Sequence, residues 1–260
     1  MPAFAGKTAL VTGASKGIGY HIARLCAHEG ADLILVARDV ERLERVAQEI
    51  TGSFPVNAAV FPADLSQPES AGELWQRVQA GGHNVDILVN NAGVGAYGEF
   101  REIPPEKTRG MRHLNIVSFT ELMHLAAIEM ARREWGRILT VASVAGFQAM
   151  PYMAEYAATK AYVLSISEAL RVELAPFGVV VTCLAPGPTD TDFFAAAGTR
   201  MLDTPGRKTP EEVARAGFRA MLRGRPLVVP GAMNKMMVFA GRLVPRALFA
   251  AAAARVLRRR

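Results

Sequence analysis

Tyr156 and Lys160 are four residues apart, and Ser143 stands thirteen residues before the tyrosine. On a helix of 3.6 residues per turn, positions i and i+4 share a face, so a phenol and an ammonium at this spacing project side by side. A phenol can pass a proton to a carbonyl oxygen, and a neighbouring cation favours the phenolate and eases that release. A serine hydroxyl beside them can hydrogen-bond the same oxygen and hold it in line. The chemistry on offer is acid–base catalysis at a carbonyl or an alcohol. It requires a helix beneath the Tyr–Lys pair and a fixed strand end beneath the serine.

The surrounding chain has the rhythm to provide both. Short β-rich runs, KTALVT, ADLILVA, PVNAAVF, VDILVN, GRILTVAS, VVVTCLA and PLVV, alternate with amphipathic stretches, the pattern of repeated βαβ units. Runs such as LILVA and VDILV are nearly continuous in apolar residues, as in parallel strands covered on both faces. The expectation is an α/β fold: a Rossmann-type, doubly wound parallel sheet of about seven strands with helices on both faces, in a single domain. Ligands then bind at the carboxyl ends of the strands.

Gly13, Gly17 and Gly19 follow the first strand directly and open the helix GIGYHIARLCAHEG. Glycines there let the backbone turn sharply and approach a pyrophosphate, whose charge meets unpaired amides at the helix start. The second strand ends at Ala37, where a carboxylate would hold the two ribose hydroxyls of NAD. Arg38 follows instead, and Lys16 lies inside the glycine turn, so two cations are placed to meet a 2′-phosphate. The cofactor expected is therefore NADP(H). Asp39, just before VERLERVAQEI, reads as the N-cap of that helix.

With TGASKGIG at 12–19, Asp64, NNAG at 90–93, Asn115, Ser143, YAATK at 156–160 and PGPTDT at 186–191 all in order, the chain resembles the short-chain dehydrogenase/reductase family over roughly residues 5–230. The resemblance implies a catalytic set of Asn115, Ser143, Tyr156 and Lys160. It also implies that Gly13, Ser15, Lys16, Gly17, Ile18, Gly19 and Arg38 hold the phosphates and that Asp64 and Leu65 border the adenine. Asn90, Asn91, Ala92 and Gly93 would stabilise the central strand and line the cofactor cleft, with Pro186, Gly187, Thr189 and Thr191 facing the nicotinamide. Lys160 and Tyr156 would also touch the cofactor, the lysine through the nicotinamide ribose, while Asn115, in a long helix starting near Glu106, would hold a water linking Lys160 to solvent. The implied activity is NADP(H)-dependent interconversion of a carbonyl and an alcohol. The alternative is a non-catalytic NADP-binding sensor of the same fold. Asp64 has a competing role as the cap of a helix beginning near Pro68, and Asn90 and Asn91 one as turn-formers.

Val144, Phe147, Met150, Met153, Phe193 and Phe194 are placed to line an apolar substrate site, although the same residue types also build ordinary cores. Residues 188–209 fall between the sixth strand and the next helix and form a candidate lid. The five histidines show no ligand-like cluster and no HExxH spacing, so no metal site is expected. Cys26 and Cys183 lie in apolar runs and read as buried thiols of a reducing compartment. No leader pattern precedes the first strand, and the cytoplasm is the expected location. A homodimer or homotetramer is expected from the resemblance and from the apolar helices around Asn115 and Tyr156.

The formal charge of +6 is unevenly spread. Residues 232–260 hold seven cations and no acid, leaving −1 for residues 1–231. The chain accordingly divides into a catalytic part, 1–231, and a basic amphipathic helical extension, 232–260. In the extension Lys235 and Arg242 share one side of a helix, with Met236, Met237, Phe239, Ala240 and Leu243 on the other; Pro245 should kink or end it, and ALFAAAAARVL then forms a second short helix with a basic terminus. Its apolar face would pack on the body or a partner subunit, or make a peripheral contact with anionic lipid. The arginines lack the aromatic interleaving of a nucleic-acid site, and no nucleic-acid partner is expected.

Overall fold

The computed structural model describes residues 2–199 and 207–258. Its seven strands are β1 (Thr8–Thr12), β2 (Asp32–Ala37), β3 (Ala58–Pro62), β4 (Ile87–Asn90), β5 (Gly136–Val141), β6 (Val179–Leu184) and β7 (Leu227–Val228). They form one parallel sheet in the order β3-β2-β1-β4-β5-β6-β7. The chain builds outward from β1 to one edge, then returns to place β4 on its other side, with Val11 in register with Val89. Crossovers on either side of this switch leave by opposite faces and open a cleft at the strand ends.

Alternation along the strands divides the core into two layers. Leu10, Ile34, Leu88 and Ile138 pack with Leu74 of α3 (Ser70–Ala80), Leu122 of α5 (Phe119–Arg132) and Val163 of α6 (Ala154–Leu174). Val11, Leu35, Val89 and Leu139 pack on the other face with Ile22 of α1 (Gly17–His28), Leu43 of α2 (Val40–Ser53) and Phe218 of α8 (Pro210–Leu222). Asp39 caps α2 as expected, its carboxylate accepting from the Arg42 amide at 3.0 Å. Cys26 and Cys183 are buried and unbridged, and burial pushes the Cys26 thiol up to about 12.

The long helix expected from near Glu106 has three parts. α4 (Pro105–Arg112) runs into a π-helical stretch, His113–Ser118, and then into α5. A π turn shifts the residues it carries relative to the α-helical ladder, and this one carries Asn115. Asp64 does not cap the next helix: its Oδ1 accepts from the Ser66 amide at 3.1 Å and hydroxyl at 2.7 Å, while α3 starts after Glu69, which is in the left-handed region.

The extension forms α9 (Ala232–Leu243) and α10 (Arg246–Leu257), with Pro245 between them. Its amphipathicity is realised differently from expectation. Asn234 and Val238 are buried and Met237 half-buried, whereas Met236, Phe239 and Leu243 are exposed. The inward arc of α9 therefore cuts across the apolar stripe and leaves much of it outside. Among the described residues, no helix is long and apolar enough to cross a membrane, and no group of three or more His, Cys, Asp or Glu side chains can hold a metal ion.

Thr12 ties the two central strands at the cleft. Its hydroxyl lies 3.4 Å from the Val89 carbonyl oxygen and accepts from the amides of Asn91 and Ala92, each at 2.9 Å. Thr12→Val would deprive those amides of their acceptor, so we expect a loss of about 2–4 kcal/mol in unfolding free energy, read from the denaturant midpoint.

Candidate active site

Lys160 is buried, and its ammonium donates to the carbonyl of Val141, the last residue of β5, at 2.7 Å. This bond fixes the height of α6 against the sheet and sets Tyr156, one turn earlier, over the end of β5. The chain leaves β5 through Ser143, whose extended backbone opens a 3₁₀ turn at Val144–Phe147. Ser143 Oγ accepts from the Ala145 amide at 3.1 Å and lies 3.4 Å from the Pro186 carbonyl oxygen. Gly146 permits this packing, since a Cβ there would fall 2.6 Å from the Lys160 backbone carbonyl. Ser143, Tyr156 and Lys160 thus meet on one wall of a cavity of about 1110 Å³.

Burial sets the electrostatics of the trio. It pushes the Tyr156 phenol up to about 12, with the neighbouring Ser143 hydroxyl acting in the opposite direction. It lowers Lys160 to about 8, with Cys183 opposing. The Lys160 ammonium stands 6.0 Å from the centre of the phenol ring. Desolvation dominates at the phenol, and its raised value keeps Tyr156 near pH 7 in the neutral form that donates a proton.

Asn115 lies behind this wall. Its Nδ2 donates to the carbonyl of Val94 at 2.9 Å and to Thr159 Oγ1 at 3.1 Å, and its Oδ1 accepts from the Val94 amide at 3.1 Å. Gly93 separates it from the lysine: a Cβ there would be 3.3 Å from both Asn115 Oδ1 and Lys160 Nζ. The two polar ends face one narrow gap across a bare backbone position.

The rest of the cavity begins at the glycine turn. Gly13 and Gly17 have positive φ, and a Cβ on Gly19 would lie 2.3 Å from the Gly13 carbonyl oxygen and 2.5 Å from Asn91 Nδ2. Gly13, Ser15, Lys16, Gly17 and Ile18 line the cavity; Gly19 lies beneath the turn, where its missing side chain lets helix and turn approach. Arg38, Asp64 and Leu65 line one end, and Asn91, Ala92 and Gly93 line the floor. Burial works to raise Asp64, but hydrogen bonds from Ser66 outweigh it and hold the carboxyl below its ordinary value. Pro186, Gly187, Thr189 and Thr191 also line the cavity, in a segment that begins beside Ser143. Bare backbone at a helix start, an extended cleft and cations at its far end fit a dinucleotide phosphate.

Besides Gly19 and Asn115, two more expected residues stand outside the cavity lining. Asn90 is buried and donates to the Phe119 carbonyl at 2.8 Å, tying β4 to α5. Phe147, at the end of the 3₁₀ turn, packs against the core layer of α5 and α6. Val144, Met150, Met153, Phe193 and Phe194 do line it. Phe193 belongs to α7 (Phe193–Ala197), and its ring centre is 5.1 Å from that of Tyr156. Of the candidate lid, Arg200–Gly206 lie outside the described residues. The segments on either side of them bond to each other, the Asp190 amide donating to the Lys208 carbonyl at 2.9 Å.

Lys16 is engaged by Asp192, Nζ to Oδ2 2.7 Å, in an exposed ion pair. The sequence carries no sign of this long-range partner; Arg42, a third cation, stands beside Arg38 in the cavity lining. Arg42 had a signal, being one turn beyond Arg38 at the start of α2. Phe249, Ala253 and Leu257 of α10 also line the cavity; nothing in their spacing foretells that a segment a hundred residues downstream of Tyr156 reaches it.

This sheet order and this trio define a dinucleotide-fold oxidoreductase, and residues 7–201 match the short chain dehydrogenase family. The chain belongs to that family. It is 37% identical over 182 residues to nodulation protein G of Rhizobium sp. (strain N33), which covers 70% of this chain and 73% of the relative. A short-chain dehydrogenase from Sphingobium yanoikuyae, solved in complex with NADPH, superposes with a TM-score of 0.83 at 31% identity, over 91% of this chain and 93% of that one. A structure solved to explain 7beta-hydroxysteroid dehydrogenase stereoselectivity superposes with a TM-score of 0.86 at 26% identity, over 96% of this chain and 98% of that one.

Gly19→Ala tests the turn. The intruding methyl should displace the Gly13 carbonyl and Asn91, weakening dinucleotide binding by about tenfold or more in a fluorescence titration, with the circular dichroism spectrum unchanged.

Proposed function

We propose that the protein is an NADP(H)-dependent reductase or dehydrogenase that interconverts a carbonyl and an alcohol on an apolar substrate. The observation that carries this reading is the meeting of Ser143, Tyr156 and a buried Lys160 at the inner end of a cavity whose outer walls are apolar. The dinucleotide, when bound, supplies or accepts the hydride. In reduction Tyr156 donates its proton to the substrate oxygen, and Ser143 Oγ hydrogen-bonds the same oxygen and fixes its direction. Lys160, charged below about pH 8, stabilises the resulting phenolate. The gap between Lys160 Nζ and Asn115 Oδ1 beside Gly93 is where a water would return the proton from solvent.

Preference for NADP(H) rests on Arg38, with Arg42 and Lys16 at the same end of the cleft and no acid at Ala37. The S. yanoikuyae relative holds NADPH, which agrees with that reading. Bulky alicyclic or long-chain carbonyl compounds suit the Met- and Phe-lined walls, and the hydroxysteroid dehydrogenase likeness is in the same direction. A sensor that binds cofactor without turnover would not need the three catalytic side chains brought together. Exposed Val117 and Val172, near Asn115 and on the Tyr156 helix, favour association through that side of the molecule into a homodimer or homotetramer.

A carbonyl panel assayed with NADPH and NADH in parallel tests the function. NADPH should be preferred, and Tyr156→Phe should lower turnover by about a thousandfold or more while leaving NADPH affinity within about twofold. Full turnover by the variant would overturn the assignment of the proton donor.

The depressed Lys160 supplies a pH test. Its ammonium is present below about pH 8 and lost above it, whereas the phenol remains protonated to about 12. Reductive kcat/KM should therefore be level below about pH 8 and fall about tenfold per pH unit above it. A profile level to pH 10 would remove Lys160 from the relay.

A further inference from the structure

The outward face of α9 and α10 is apolar, basic and continuous with the mouth of the cavity. Projected at 100° per residue, the inward arc of α9 holds Asn234, Met237, Val238 and Gly241. The outward arc carries Met233, Met236, Phe239 and Leu243, exposed by 53%, 64%, 62% and 71%. Lys235 and Arg242 border it on one side. On α10, Leu248 and Val256 are likewise exposed, with Arg246, Arg255 and Arg258 around them. Exposed apolar side chains of this number on two short helices are far beyond the scattered surface leucines of an ordinary chain.

The inner face of the same helices is a wall of the site. Leu257 is buried with Tyr156, Met153 and Ala96, and the Tyr97 hydroxyl donates to the Leu257 carbonyl. Phe249 packs against Gly241 of α9 and lines the cavity. Met233 and Val256 line the cavity and are exposed as well, so the cavity opens where the apolar face begins.

Charge selects the occupant. Residues 232–260 have a formal charge of +7 with no acid, and none of Lys235, Arg242, Arg246, Arg255 and Arg258 takes part in an ion pair among the described residues. A two-fold contact with a second copy through this face would set cations against cations with no acid between them. An anionic bilayer surface answers both features: acyl chains accept the apolar stripe, and headgroups take the flanking cations on their flexible stems.

We propose that the α9–α10 pair docks peripherally on anionic lipid surface and opens the cavity toward it, so that an apolar carbonyl substrate dissolved in the bilayer enters past Met233 and Val256. The docking stands on the helices alone; the substrate route rests on the proposed function.

Sedimentation of the full chain with vesicles of phosphatidylcholine, and with vesicles that also contain phosphatidylglycerol, tests the docking. The chain should pellet with the anionic vesicles and be released by high salt, and Met236→Glu with Phe239→Glu, both outside the cavity lining, should lower the bound fraction about tenfold. Recovery of the wild-type chain in the supernatant, or equal binding to both vesicle types, would overturn docking on anionic lipid. So would light scattering that shows an oligomer dissolved by the double variant, since the face would then be a subunit contact. For the route, turnover of a long-chain ketone carried in the anionic vesicles should fall in the double variant while turnover of a short, water-dissolved ketone is kept; an equal rate on the vesicle-borne ketone would overturn it. Sedimentation is scored without turnover, so a chain that reduced no carbonyl would refute the functional reading alone.

Discussion

A single buried hydrogen bond, from the Lys160 ammonium to the Val141 carbonyl at 2.7 Å, locks the catalytic geometry together. A lysine at this depth is costly to desolvate, and its depression to about 8 reflects that cost. The bond satisfies one of its three donors and joins α6 to the end of β5. Ser143 comes two residues after Val141 and Tyr156 one turn before Lys160, so both inherit their positions from it. Thr140 Oγ1 and Ser167 Oγ, 2.8 Å apart, join the same strand and helix further from the site. The pair of contacts leaves α6 little freedom to slide or roll on the sheet.

The central strand ends are held by a second polar set. Thr12 accepts from Asn91 and Ala92, Asn91 Nδ2 donates to the Thr12 carbonyl at 2.8 Å, and Asn90 reaches Phe119. These side chains satisfy the backbone where β1 and β4 part at the switch point, a place that offers no ladder partner. Floor and wall of the cleft are therefore fixed by different networks that meet at Gly93, against which Lys160 and Asn115 both close.

How legible the molecule is from its sequence follows from how local each signal is. The strand rhythm, the glycine turn, the Asp39 cap and the i, i+4 pair are short-range patterns, and the sheet order and the meeting of Tyr156 with Ser143 follow from them. Asn90 ties the central strand to α5 without reaching the cleft, and Phe147 joins the core, because a polar residue at a strand end, or a phenylalanine in a turn, has the same signature whether it faces a ligand or a helix. Only the roll of the neighbouring element decides, and that is a tertiary property. The burial shift of Tyr156 was hidden for the same reason, since spacing reveals the lysine beside the phenol but not the apolar packing around both. On α9, Asn234 sits buried because it donates to the Pro230 carbonyl at 2.7 Å, and that bond turns the helix away from the roll its apolar stripe suggests.

One short stretch joins the two ends of the cavity. Asp192 pairs with Lys16 of the glycine turn, the Thr191 methyl lies against Gly17, and Phe193 contacts the Tyr156 ring and crowds Gly95. The ion pair is exposed on both sides and therefore worth about 0.2–1 kcal/mol at most. Burial of Phe193 against aromatic and glycine surface contributes more, on the order of 1–3 kcal/mol. The stretch is thus anchored at its substrate end and only lightly fastened at its phosphate end. Residues 191–193 thus join the glycine turn to the catalytic wall, with the Tyr156 ring against the anchored end.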